Sequence, residues 1–168
     1  MGVVTHGFDR TPVTSMGGLE TTPQQTLDEM DLDDVAIFII PGGELWEKGY
    51  PEAVMHDLVR RLDEQKIPMA AICAAVTMLA KAGILEGRRH TGNALSYMKK
   101  LVPGYAGEPT YVDELAVADN HIITASGLGT VDFTMAILET LDVATPEMRQ
   151  LWYDAFKHGR FPEGIDAG

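Results

Sequence analysis

The sequence predicts one α/β domain built in three layers, a mostly parallel sheet covered by helices on both faces. Two apolar runs without alternation, "DVAIFII" (34–40) and "IPMAAIC" (67–73), have the composition of strands buried on both sides. Each is followed by a segment with helical spacing. Each also breaks off at a turn, the first at Pro41, Gly42 and Gly43 and the second at Cys73. Those turns fall at the carboxyl ends of strands, where sheets of this class bind ligands.

The elements follow in order. From Pro51 to Gln65, Val54, Leu58 and Leu62 recur at four-residue spacing with charges between them, an amphipathic helix that opens on proline. After the second strand, "AAVTMLAKAG" reads as a helix ended by Gly83. "ELAVA" and "HIITA" flank Asp119 and Asn120 as the arms of a hairpin. "TVDFTMAILETL" (130–141) is a helix with Thr130 as N-cap. The last helix has Thr145 as cap, Pro146 at its first position and Gly159 as its stop. Its Trp152, Tyr153 and Phe156 cover the sheet or form a dimer surface, and the tail "RFPEGIDAG" reads as frayed. No repeat, low-complexity segment or linker divides residues 1–168, so a single domain is expected.

The composition, 45% hydrophobic and 23% charged, suits a globular domain with a real core. A net charge of -12 repels phosphate backbones and anionic lipid, which argues against nucleic-acid and membrane partners. No apolar run approaches the roughly 18 residues of a membrane span, and "MGVVTHGFDR" lacks the apolar stretch of a secretory signal, so a cytoplasmic location is expected. His6, His56, His90, His121 and His158 show no metal-ligand spacing. "SGLGT" has neither a Walker-type lysine nor the fuller dinucleotide fingerprint, and the expectation is no metal and no cofactor.

Cys73 is the only cysteine. It is either a small core hydrophobe or a nucleophile, since free cysteine is among the most buried residue types. Its place where a strand turns into a helix puts the sulfur near the positive end of a helix dipole, an environment that favours the reactive thiolate. Ala70, Ala71, Ala74 and Ala75 let backbone approach closely, and the Ala74 amide can donate to an oxyanion. The glycine turn after the neighbouring strand can present a second amide to the same spot.

"FIIPGG", "AAICAAVTMLAKAGILEGRRHTGN" and "IITASGLGTVDFTMAILETL" occur in order and resemble segments of the DJ-1/PfpI superfamily, whose fold is flavodoxin-like and similar to that of class I glutamine amidotransferases. "ELWEKGYPE" and "LWYDAFK" look closest to bacterial members labelled glutamine amidotransferase-like. The resemblance implies Cys73 as the elbow nucleophile, Gly43 and Ala74 as oxyanion donors, and Gly127 as the glycine facing the thiol. Gly42, Glu44, Trp46, Asn93 and Ser126 are further pocket candidates. It also implies a homodimer.

Family members usually begin with a strand, loop and helix carrying a glutamate bonded to the cysteine. This chain opens at "GVVTHGFDRTPVTSMGG", which matches the family's segment immediately after that unit, so the sequence is expected to be N-terminally incomplete relative to the family and without that glutamate. Glu44 is expected to be solvated rather than turned to the thiol. Where many members have a histidine, "RRHTGNALSY" offers Gly92 or Asn93; Asn93 cannot act as a base near neutral pH, and His90 beside two arginines is expected to be solvated. His158 and Glu163 are too far apart for a glutaminase triad. The leading expectation is a cysteine-dependent hydrolase or lyase acting on a small carbonyl or thioester-like electrophile. A redox or stress sensor answering an oxidant is the alternative, and a small-molecule binding module without catalysis is the third.

Overall fold

The computed structural model describes residues 2–160, so Glu163 and the tail beyond Arg160 lie outside the described residues. The chain divides into two compact units, Met1–Val35 and Ala36–Gly168. The first carries four two-residue strands: β1 (His6–Gly7), β2 (Val13–Thr14), β3 (Glu20–Thr21) and β4 (Gln25–Thr26). β1 pairs with β4 in parallel and β2 with β3 antiparallel. Arg10 cross-links this unit, donating to the Gln24 carbonyl at 2.9 Å and to the Glu29 carboxylate at 2.8 Å.

The second unit runs β5 (Phe38–Ile40), α1 (Leu45–Lys48), α2 (Glu52–Glu64), β6 (Met69–Ile72), α3 (Ala75–Lys81), α4 (Leu95–Leu101), β7 (Ala116–Asp119), β8 (Ile122–Ala125), α5 (Thr130–Thr140) and α6 (Pro146–His158). Its sheet has the order β5-β6-β8-β7, parallel except for β7, which returns antiparallel to β8. The hairpin turn is made by Asn120 at φ +56, a conformation that asparagine tolerates better than most side chains. β5, β6 and β8 are shorter than the expected segments and fall inside them, while β7 runs one residue past "ELAVA" and takes in Asp119. No helix among the described residues is long and apolar enough to cross a membrane.

Alternation along β6 sorts the core. Ala70 and Ile72 pack with Ile123, Ala125 and Phe133, the last from α5. Met69 and Ala71, equally buried, face the opposite side, where α2 and α3 pack on β6. Full burial of side chains such as Leu62, Met69 and Leu79 contributes about 1.5–3 kcal/mol each.

Several local expectations change. The buried face of α2 is Met55, Leu58, Val59 and Leu62, while Val54 is 50% exposed. At about 100° per residue, a strict four-residue repeat drifts off the stripe, and Val54 falls on its outer edge. Thr130 is not the cap of α5; Gly129 is, and a Cβ there would stand 2.3 Å from the Leu115 carbonyl oxygen, so close backbone contact starts the helix one residue early. Thr145 does cap α6, accepting from the Met148 N–H at 3.3 Å, and Gly159 ends it at φ +64. Trp152 and Phe156 do not cover the sheet, being 48% and 79% exposed.

His90 is the largest correction, because it is buried rather than solvated. The chain bends at Arg88 and bridges to Tyr111 at His90, so Arg88 reaches Asp63 at 2.6 Å and Arg89 lies toward Glu114, while the imidazole is buried. Its Nδ1–H donates to the Arg88 carbonyl at 2.7 Å, Nε2 accepts from the Tyr105 hydroxyl, and the rings of Tyr105 and Tyr111 stand edge-on to it. Burial pushes its ionisation below the usual histidine range, the Arg88 carbonyl pulling weakly the other way.

A histidine held neutral by the fold gives stability that is complete above its unfolded value, near 6.5, and declines as pH falls from there toward the lowered folded value. Urea unfolding between pH 7.5 and 5 should therefore show stability falling with acid, and His90→Gln, whatever its cost at pH 7.5, should flatten that slope.

Candidate active site

Ile72 ends β6 and Ala75 opens α3, so Cys73 and Ala74 form the entire turn between them. Cys73 sits at φ +62, a left-handed conformation that costs a non-glycine residue about 1–2 kcal/mol. Its N–H is tied to the Ala125 carbonyl at 2.9 Å, continuing the β6–β8 ladder one residue beyond the strand. Packing on both sides holds the turn in this strained state.

Two glycines make room for the sulfur. A Cβ on Gly42 would lie 2.8 Å from Cys73 Cβ and 3.5 Å from its Sγ, and a Cβ on Gly127 would lie 3.1 Å from Sγ. The loops after β5 and β8 thus press against the same side chain, as their strand ends predict. Gly43 is not so constrained, with nothing within 4 Å of a built Cβ. Among the described residues, none of the Gly43, Ala74 and Ala75 amides has a backbone acceptor, whereas those of Val76 and Thr77 bond back to the Cys73 and Ala74 carbonyls at 3.2 and 3.1 Å.

Asn93 completes the immediate shell. Gly127 N–H donates to its Oδ1 at 2.9 Å, which fixes the amide's orientation and turns Nδ2 to Cys73 Sγ at 3.4 Å. The other candidates serve the surrounding loops. Ser126 Oγ accepts from the Leu128 N–H at 3.3 Å, within the turn before α5. Trp46 Nε1–H donates to the Pro41 carbonyl at 2.8 Å, and its ring packs edge-on to Tyr50. Glu44 is exposed and ion-paired with Lys48, which pulls its carboxyl below the ordinary range, in keeping with its expected solvated role. His158 packs against Tyr153 at the end of α6.

The structure adds two residues that the sequence pattern did not single out. Tyr97 Oη–H donates to Glu47 Oε1 at 2.6 Å, joining α4 to α1. Burial first and the Glu47 carboxylate second push the phenol's ionisation well above its usual value; negative charge at Cys73 adds to this, and the Asn93 amide opposes it. No spacing signal marks them, since Gly43 and Asn93 precede the caps of α1 and α4 and share no helical face with Glu47 and Tyr97. A separate cleft between β7, α5 and α6, about 320 Å³ in volume, includes Asp132 and Tyr153 but no thiol.

With this geometry established, the comparisons are specific. The model of the DJ-1/PfpI family matches residues 1–140, and the chain belongs to that family. A DJ-1 superfamily protein from Agrobacterium tumefaciens of known structure is 40% identical and superposes with a TM-score of 0.82 over 92% of this chain and 82% of its own. An uncharacterized protease of Bacillus subtilis, YoaZ, is 36% identical over 90% of this chain and 71% of its own length. A glutathione-independent glyoxalase of Caenorhabditis elegans is 30% identical over 81% of this chain and 71% of its own. The flavodoxin-like architecture expected from the sequence is thereby shown.

The two glycines of the "PGG" turn should respond differently to a methyl group. Gly42→Ala forces a 2.8 Å contact and should cost about 1–3 kcal/mol, whereas Gly43→Ala should stay within about 0.5 kcal/mol of the parent. Thermal unfolding of the two variants side by side checks this.

Proposed function

We propose that this protein is a cysteine-dependent hydrolase or lyase in which Cys73 attacks a small carbonyl or thioester-like electrophile. The observation that carries the reading is the left-handed turn at Cys73, a strained conformation at a non-glycine residue whose side chain is met by Gly42, Gly127 and the Asn93 amide. A cysteine that merely filled the core would not require that strain. Strain of this kind clusters at functional sites.

In the attack, the Cys73 sulfur forms a bond to the carbonyl carbon, and the π pair moves onto the oxygen. Gly43 and Ala74 N–H groups, left open by the backbone, donate to that developing oxyanion. Asn93 Nδ2 supports the thiolate before attack. With a thioester, collapse expels the leaving thiolate and water later hydrolyses the acyl-enzyme; with an aldehyde, the adduct is a hemithioacetal once the oxygen gains a proton. The glyoxalase name of one relative agrees with a small carbonyl substrate. Glutaminase activity is outside the proposal, since Asn93 cannot take a proton as a histidine does.

A second reading draws on the same donors. Asn93 Nδ2 and the open amides would also hold the oxygens of a sulfinate, so Cys73 would serve as a redox sensor. Two equivalents of peroxide convert the thiolate to sulfinate and release two waters. A homodimer belongs to both readings, on the family likeness.

Methylglyoxal and a simple alkyl thioester are the substrates to test. Turnover of either that falls at least about 100-fold in Cys73→Ser supports the enzyme. Stable sulfinylation by peroxide, seen as a 32 Da gain on the Cys73 peptide, without turnover of either compound supports the sensor. Undiminished turnover in Cys73→Ser overturns the nucleophile assignment.

A further inference from the structure

Hydrolysis of an acyl-enzyme needs a group to take a proton from water, and the residues that touch Cys73 supply none. Gly42 and Gly127 have no side chain, and Asn93 turns donors to the sulfur. His90 is buried with both ring nitrogens occupied, by the Arg88 carbonyl and the Tyr105 hydroxyl. Nearby carboxylates are committed elsewhere, Glu44 to Lys48 and Glu52 to Lys81. Glu47 differs: among the described residues it makes no ion pair, and its side-chain partner is the Tyr97 hydroxyl at 2.6 Å.

We propose that Glu47, acting through Tyr97, takes the proton from the water that hydrolyses acyl-Cys73, so that the substrates of this site are small acyl compounds such as esters and thioesters. This rests on the reading of Cys73 as a nucleophile. Two hydrogen bonds fix Asn93 against the thiol, Gly127 N–H to Oδ1 and Nδ2 to Cys73 Sγ, and a third joins Tyr97 to Glu47; the Asn93 amide and charge at Cys73 both act on the Tyr97 phenol, which faces the same site. Burial keeps the phenol protonated, so it can accept a proton only as it gives up its own. As the water oxygen bonds to the acyl carbon, its proton passes to Tyr97 Oη while the phenol's original proton passes to Glu47. The C–S bond then breaks, the acid leaves, and Glu47 returns its proton through the phenol to the Cys73 thiolate or to solvent. The phenol is unchanged, and one proton has crossed the site. Carbon–sulfur cleavage by water is the step that needs this base, whereas a hemithioacetal with an aldehyde does not.

The test uses p-nitrophenyl acetate, whose burst reports acylation of Cys73 and whose steady phase reports hydrolysis of the acyl-enzyme. Glu47→Gln and Tyr97→Phe should lower the steady rate about 100-fold, the ordinary worth of a general base, with burst amplitude and iodoacetamide alkylation of Cys73 kept within about twofold of the parent. Glu47→Ala should regain rate on addition of formate, and Tyr97→Phe should not, a pattern that lost packing does not produce. Steady rates within about twofold of the parent in both variants, with the burst intact, overturn the relay alone. A parent protein with no burst, whose Cys73 alkylates no faster than free cysteine, overturns the relay together with the nucleophile reading beneath it. Should Tyr97→Phe fail to fold, the exposed and nearly isosteric Glu47→Gln still decides the question.

Discussion

The candidate site depends on one constraint, the left-handed turn at Cys73 between β6 and α3. The registers of three parallel strands bring their ends level there: Ile40 pairs with Ala71, and Ile72 with Ala125. The loops that follow β5 and β8 therefore arrive on either side of Cys73, where a Cβ on Gly42 would collide with it and one on Gly127 would crowd its sulfur. Backbone strain at Cys73 and glycine at its neighbours are two aspects of one packing problem. The sheet supplies the stability that offsets the strain, through its hydrogen-bond ladder and the burial of Ala70, Ile123, Ala125 and Phe133.

Much of this is legible in the sequence, for physical reasons that also explain what is not. Continuous apolar runs identify strands buried on both faces, and their abrupt ends at "PGG" and Cys73 locate the strand termini, so the turn at Cys73 follows from composition and order alone. Distances at which a Cβ would clash are not written in a sequence; Gly42 and Gly43 are chemically identical there, yet only Gly42 presses on the thiol. His90 escapes a sequence reading because two adjacent arginines signal solvent, while the bend at Arg88 and the bridge from His90 to Tyr111 bury the imidazole. Val54 and Thr130 are each misplaced by a fraction of a helical turn, which is the scale on which apolar spacing and cap chemistry stop discriminating.

Asparagine at position 93 changes what the site can do. A histidine there could alternate between donor and base; the amide of Asn93, with Oδ1 held by Gly127 N–H, can only donate toward the sulfur. On the proposed reading, the amide orients the sulfur without removing any proton, which separates placement of the thiol from acid–base chemistry. Proton transfer must then come from elsewhere on the chain. The net charge of -12, with Glu44 and Glu47 on the loop and short helix after the glycine pair, also disfavours anionic substrates approaching that side.

The two halves of the site are held by different forces. Cys73 is placed by sheet hydrogen bonds and buried alanines. Glu47 stands on α1, four residues long with no buried side chain, and Leu45 of that helix is 65% exposed. Its position follows from polar contacts instead: Trp46 to the Pro41 carbonyl ties α1 to the glycine turn, and Tyr97 to Glu47 ties it to α4. Neutral or charge-assisted bonds of this kind each contribute about 0.5–3 kcal/mol, against the larger sum from a buried face. A helix held this way can be displaced without disturbing the strand that carries the thiol. On the proposed reading, acyl transfer to Cys73 and the release of that acyl group are thus separable by structure, the first resting on the core and the second on a few hydrogen bonds at its edge.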